Sequence, residues 1–148
     1  MTAEEQSLLI RRRTERLIGT RERSEAELRS RLLRAGFDED VVQREVARCI
    51  AAGLVDDERF ARLYIAGKKR SGWGCRRIEQ ELLRFGIELR ACEDYPAAFF
   101  NEDDEFERAC ACLARFHSSA RDQQAARFRR LLSKGFSTQI AQRALRER

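Results

Sequence analysis

Residues 82–87 read LLRFGI, and the chain writes nearly the same phrase twice more, as LLRAGF at 32–37 and LLSKGF at 131–136. The glycines Gly36, Gly86 and Gly135 stand 50 and then 49 positions apart. Glycine directly after an apolar helical stripe is a stop, because the left-handed backbone that ends a helix costs it no Cβ clash. The stripes are present. Leu28 and Leu32, Ile78 and Leu82, and Phe128 with Leu131 and Leu132 share faces at helical spacing. The apolar residue after each glycine can staple another helix, with Asp38, Glu88 and Ser137 in the N-cap position, Glu being the poor cap of the three. Each phrase therefore predicts the bend of a helix-turn-helix pair. Ser24 and Glu27 predict a capping box opening the first pair.

One such pair is too small to bury its own apolar faces, and the interval leaves room for one more helix ahead of each. Leading helices are predicted at about 9–18, 57–69 and 104–116, the last two with stripes at Phe60, Leu63 and Tyr64 and at Phe106, Ala109, Cys110 and Leu113. Almost nothing reads as strand, and the single proline, Pro96, falls near a repeat boundary. The expectation is an all-α chain of three tandem three-helix repeats, at 1–50, 51–98 and 99–148. Such repeats contact mainly their neighbours, which predicts an elongated, curved body. Arg127 stands where the other copies have Leu28 and Ile78, so the third core stripe is expected to shift.

With 43% hydrophobic and 37% charged residues in 148, the chain should fold beneath a heavily charged surface. The 30 basic against 25 acidic residues leave +5, which permits an anionic partner without requiring one. Five cysteines (Cys49, Cys75, Cys92, Cys110, Cys112) without a CxxC, and the single histidine His117, fit neither a disulfide framework nor a zinc site. Buried thiols in a reducing cytosol are the simpler reading. Cys110 and Cys112 cannot face the same way on a helix. No apolar run approaches the ~20 residues a membrane span needs, and the N-terminus is unlike a signal peptide. A cytoplasmic protein, a monomer without membrane contact, is expected. No nucleophile stands in a catalytic setting and no glycine-rich phosphate loop occurs; no active site, metal or cofactor is expected.

Lys68, Lys69, Arg70, Arg76 and Arg77 flank Gly72-Trp73-Gly74. One reading is a basic corner with an exposed aromatic, able to neutralise phosphates or acidic side chains while Trp73 stacks. The other is that Trp73 caps the core and the cations are merely solvated. Glycines on both sides predict an exposed turn, which favours contact. A second basic group, Arg127, Arg129, Arg130 and Lys134 with Arg143, Arg146 and Arg148, is read either as a patch following a phosphate backbone or as a solvated face. Arg11, Arg12 and Arg13 spread around one helix and read as solvated. Asp56-Asp57-Glu58 reads as helix-start capping and dipole compensation, as does Glu102-Asp103-Asp104-Glu105. Phe60 and Tyr64 read as core.

The middle copy carries the most specific text, Leu54-Val55-Asp56-Asp57-Glu58-Arg59-Phe60-Ala61, then Lys68-Lys69-Arg70-Ser71-Gly72-Trp73-Gly74, then Arg76-Arg77-Ile78. With SEAELRSRLLRAGF in the first copy and ARFRRLLSKGFSTQIAQRAL in the third, this resembles the RecX family, regulators of the RecA recombinase. The resemblance implies a non-enzymatic protein of tandem three-helix repeats. It would bind the RecA filament on single-stranded DNA, in its groove, and restrain recombination, ATP hydrolysis and the coprotease activity behind the SOS response. Direct contact with DNA is a further implication. The alternative is a stand-alone helix-turn-helix DNA-binding protein. Against it, the second helices lack a consistent Arg/Asn/Gln face and the first of them opens on Asp38-Glu39-Asp40.

Overall fold

In the computed structural model, which describes residues 1–147, the chain forms α1 (Ala3–Thr20), α2 (Glu25–Arg34), α3 (Glu39–Ala51), α4 (Asp57–Arg70), α5 (Cys75–Leu83), a 3-10 turn (Leu89–Ala91), α6 (Glu102–Arg115), α7 (Gln123–Lys134) and α8 (Thr138–Glu147). No strand occurs among the described residues. Arg148, one of the C-terminal cations, lies outside them. The leading helices run longer than predicted and lie at the predicted places, but Leu63 of the second stripe is 54% exposed, and α4 buries Phe60, Ala61 and Ile65 instead. Gly36, Gly86 and Gly135 all adopt left-handed backbone, at φ +94°, +75° and +97°. The stop signal is used three times.

The segments beyond the three stops differ. Gly36 and Gly135 lead into α3 and α8. After Gly86 the expected second helix shrinks to Leu89–Ala91 and irregular turns. Glu88 makes no side-chain capping bond there, and Pro96 denies an amide within the next turns. Capping elsewhere is also redistributed. Ser24 accepts from the Glu27 N–H at 3.2 Å, but the Glu27 carboxylate turns to Arg21 and Arg23 instead of closing the box. The reciprocal box belongs to Thr2 and Glu5 at the start of α1. Asp38 makes no capping bond to α3. Its N–H donates to Gln6 Oε1 at 2.8 Å while its Oδ2 accepts from Gln6 Nε2 at 2.9 Å. Ser137 does cap α8, accepting from the Ile140 N–H at 3.1 Å.

The chain divides into two compact units. Unit 1 is Met1–Ala61 with Arg84–Ile87; unit 2 is Arg62–Leu83 with the chain from Glu88 onward. In unit 1, α1 and α2 pack on α3 around Ile10, Leu28, Leu32, Val42, Val46 and Val55, all essentially buried. Each side chain so buried contributes about 1.5–3 kcal/mol. Phe60 joins this core against Phe85, their ring centroids 5.0 Å apart. Glu45 is buried too, held by Arg11 at 3.2 Å and Arg48 at 2.8 Å. Burial pushes its carboxyl up, yet the hydrogen bonds from Arg11 and Arg48 win and hold it below the usual range. In unit 2, α6, α7 and α8 close on Phe106, Ala109, Leu113, Leu131, Phe136 and Ala141. The third stripe has indeed shifted: Ala126 and Leu131 are buried, Arg127 only partly.

Within both units the same joint recurs. An ideal Cβ on Gly86 would lie 2.5 Å from the Cβ of Ala26, and one on Gly135 would lie 2.2 Å from that of Arg77. The Gly86 turn thus abuts the start of α2, and the Gly135 turn the start of α5. A carboxylate locks each joint. Asp57 Oδ1 accepts from the Glu25 N–H at 2.8 Å, and Glu105 Oε2 from the Cys75 N–H at 3.1 Å. These are the first amides of α2 and α5, which have no partner within their own helices. Asp56 caps α4, accepting from the Arg59 N–H at 3.1 Å. Asp57 serves a helix some thirty residues away, a role its sequence context does not signal.

Candidate anion-binding cleft

The basic corner begins with α4, which ends on Lys68, Lys69 and Arg70, cations suited to the carbonyl end of a helix. Gly72, at φ +82°, releases the chain into the turn carrying Trp73. Gly74 then meets the end of α7. Its N–H donates to the Lys134 carbonyl at 2.7 Å, and the Arg76 N–H to the Gly135 carbonyl at 3.0 Å. A Cβ on Gly74 would come within 2.4 Å of the Gly135 and Phe136 backbone. Only glycine permits that approach, and it brings the ends of α4 and α7 together.

Trp73 is half-buried. The Lys68 Nζ lies 4.5 Å and the Arg77 Cζ 3.8 Å from its ring centroid. The expected stacking platform is therefore already engaged by two of the protein's own cations. Lys69 is also held, its Nζ donating to the Phe99 carbonyl at 2.8 Å. Across from them α6 presents Arg108, whose guanidinium bonds Asp104 at 3.0 Å, Glu105 and the Trp73 carbonyl. Glu105 thus joins Arg108 to the first amide of α5. Its neighbour Cys75 is pushed up to about 12, by burial first and then by Glu105 and Glu79, so this thiol stays protonated.

Between the ends of α4 and α7 and the outer face of α6 lies a cleft of about 660 Å³. Lys69, Arg70, Arg108, Arg115, Arg130 and Lys134 line it, with Phe116 and His117 beside them and no carboxylate among the lining residues. Arg130 leans over Phe116, 5.6 Å from its centroid. Two groups far apart in sequence, Lys69 and Arg70 from the middle copy and Arg130 and Lys134 from the third, share this cleft. Other expected residues do not. Lys68, Trp73 and Arg77 form the stack, and Arg76 lines a smaller depression beside Glu79, Glu88 and Arg90. Arg127 and Arg129 are not among the lining residues. Arg143 lies over Phe106, 4.0 Å from its centroid, and faces Asp103 and Glu147. Sequence reasoning misses Arg108, Arg115 and Phe116 as members, although Arg108, Cys112 and Arg115 recur at one-turn spacing on α6, a stripe that sequence does display. Among the described residues no group of three or more His, Cys, Asp or Glu side chains is placed to hold a metal, and no helix is long and apolar enough to cross a membrane.

Two family models match the chain: the first three-helix domain of RecX over residues 11–49 and the second over residues 56–91. Regulatory protein RecX of Acidithiobacillus ferrooxidans is 36% identical over 135 residues, covering 88% of this chain and 84% of that protein. Regulatory protein RecX of Serratia proteamaculans is 33% identical over 98 residues, covering 51% of this chain. That match spans 58% of the Serratia protein, less than two thirds of its length. The crystal structure of RecX from Lactobacillus salivarius superposes with a TM-score of 0.83 at 21% identity, over 97% of both chains. At that identity the likeness is one of fold.

Proposed function

Because the chain belongs to the RecX family, we propose that it is a non-enzymatic regulator of the RecA recombinase, binding the RecA filament on single-stranded DNA and restraining strand exchange, ATP hydrolysis and coprotease activity. The division into three repeats, at 1–50, 51–98 and 99–148, is part of this reading, as are cytoplasmic residence and a monomeric state. The observation that carries it is the carboxylate-free basic cleft of unit 2, assembled from two copies of the repeat. A filament of protein on nucleic acid offers phosphates and acidic side chains together, and such a cleft is drawn to both. Binding across the filament groove would hinder the rearrangement of RecA protomers during ATP turnover.

The alternative of sequence-reading helix-turn-helix units gains no support from the fold. The middle copy has only a three-residue turn where a recognition helix would be needed, and Arg143 of α8 is stacked on Phe106. The test is to add the purified chain to RecA filaments on single-stranded DNA and follow ATP hydrolysis and strand exchange. Both should fall. Unchanged rates at saturating protein would refute the proposal.

A further inference from the structure

The first phrase and the third differ by a constant offset of 99 residues, Gly36 answering to Gly135. Applied to the lining of the unit 2 cleft, that offset pairs Arg115 with Arg16, Phe116 with Leu17, Arg130 with Arg31 and Lys134 with Ala35. All four of those partners line a second cleft in unit 1, of about 480 Å³, together with Arg13 and Arg34. The two clefts are thus the same place in two copies of one repeat. Each lies between a leading helix and the end of the helix after it, α1 with α2 and α6 with α7.

Two of the four pairs, Arg16 with Arg115 and Arg31 with Arg130, keep their arginine, and Arg13 and Arg34 add charge peculiar to the first copy. Four arginines line the unit 1 cleft and no carboxylate does. All four are exposed, and Arg16, Arg31 and Arg34 have no ion-pair partner among the described residues. Arg13 lies over Phe37, 5.9 Å from its centroid, as Arg108 lies over the equivalent Phe136 at 5.7 Å. The middle copy lacks this feature: Ala66, Gly67 and Glu81 stand at the positions of Arg16, Leu17 and Arg31. Unpaired guanidiniums facing one another across a groove repel. Neighbouring ion pairs in unit 1, such as Arg29 with Glu25 and Arg11 with Glu45, show that carboxylates reach arginines readily where they are placed to do so.

We propose that the unit 1 cleft is a second nucleic-acid contact, gripping the phosphodiester backbone of a single strand through Arg13, Arg16, Arg31 and Arg34. Arginine forks match phosphate oxygens bidentately. The pairs Arg13/Arg16 and Arg31/Arg34 each sit one turn apart on their helices, forming two rows of charge that an extended polyanion can follow. Leu17 stands where Phe116 lines the unit 2 cleft, so the lining of this cleft offers charge to a strand and no aromatic ring to its bases. The proposal deepens the reading of the chain as a partner of DNA-bearing filaments, and its test stands apart from RecA.

Binding of a fluorescent oligothymidylate to the whole chain is titrated at several salt concentrations. The wild type is compared with Arg16→Ala/Arg31→Ala and with Arg115→Ala/Arg130→Ala. Each double variant should weaken binding and flatten the slope of log K against log salt by ~1.4, two contacts at ~0.7 each on a single strand. The glutamine versions, Arg16→Gln/Arg31→Gln, should do the same with unchanged helical content. Wild-type affinity and slope in both unit 1 variants would overturn the proposal. So would capture of polyglutamate with no binding of the oligonucleotide, which would assign the clefts to an acidic protein face. Oligonucleotide binding through both clefts without any effect on RecA activity would instead sink the filament reading and leave this one standing.

Discussion

Replacing each phrase glycine by alanine tests whether the three stops differ as the joints require. All three have positive φ, so each substitution carries the cost of a side chain in left-handed backbone, about 1–2 kcal/mol. At Gly36 nothing lies within 4 Å of the new Cβ, and that cost stands alone. At Gly86 the methyl would meet the Cβ of Ala26 at 2.5 Å. A side-chain contact can be relieved by a small shift of α2, which adds overpacking of about 1–3 kcal/mol. At Gly135 the methyl would lie 2.2 Å from the Arg77 Cβ, 2.7 Å from its N and 3.0 Å from its Cα. Backbone cannot step aside, so the start of α5 must lift from α7, straining the Arg76 N–H bond to the Gly135 carbonyl. The total reaches about 4 kcal/mol or more, a large share of a typical domain stability of about 5–15 kcal/mol. Urea unfolding monitored by far-UV circular dichroism should rank Gly36→Ala mildest, Gly86→Ala next and Gly135→Ala most damaging. Equal losses at all three, or the greatest loss at Gly36, would refute the joint as described.

Asp57→Ala should cost about 1–3 kcal/mol by orphaning the Glu25 amide, whereas Asp57→Asn keeps an acceptor and should cost much less. Burial raises the Asp57 carboxyl above its ordinary value of 3.8, so the charged form is the disfavoured one. Its stability contribution is complete below that value and is lost as pH rises through the raised one. The wild type should therefore gain on Asp57→Asn as a denaturation series moves from neutral toward acid. With a thiol reagent at mildly alkaline pH, exposed Cys92 should label first. Cys75, pushed up to about 12, should resist until the protein unfolds, as peptide mapping of the labelled chain would show.

The parts of this fold legible in sequence are those decided within a few residues. A glycine after an apolar stripe announces a helix end whatever it packs against, and Phe60, Phe106 and Leu113 announce their faces by spacing alone. The weak cap Glu88 and Pro96 signal the absence of an α-helix after Gly86, but the repeat itself argues the other way. The joints are not legible, because Asp57 and Glu105 serve amides about thirty residues distant and look like ordinary helix-start acids. The cleft is half legible. Its cations stand out, yet sequence cannot say that Lys69 and Arg130 line one cleft while Arg76 and Arg129 are left out, since that depends on the contact between Gly74 and Gly135. The unit 1 cleft escapes notice while Arg11, Arg12 and Arg13 are taken as one run; the informative comparison is between copies, at the positions of Arg16 and Arg31.

The packing of Lys68 and Arg77 against Trp73 has a practical consequence. The emission of a half-buried indole responds to the charges and solvent around it, and there is no other tryptophan in the chain to obscure it. The molecule therefore carries its own optical label one residue away from a wall of the basic cleft, and events there can be watched without attaching a dye.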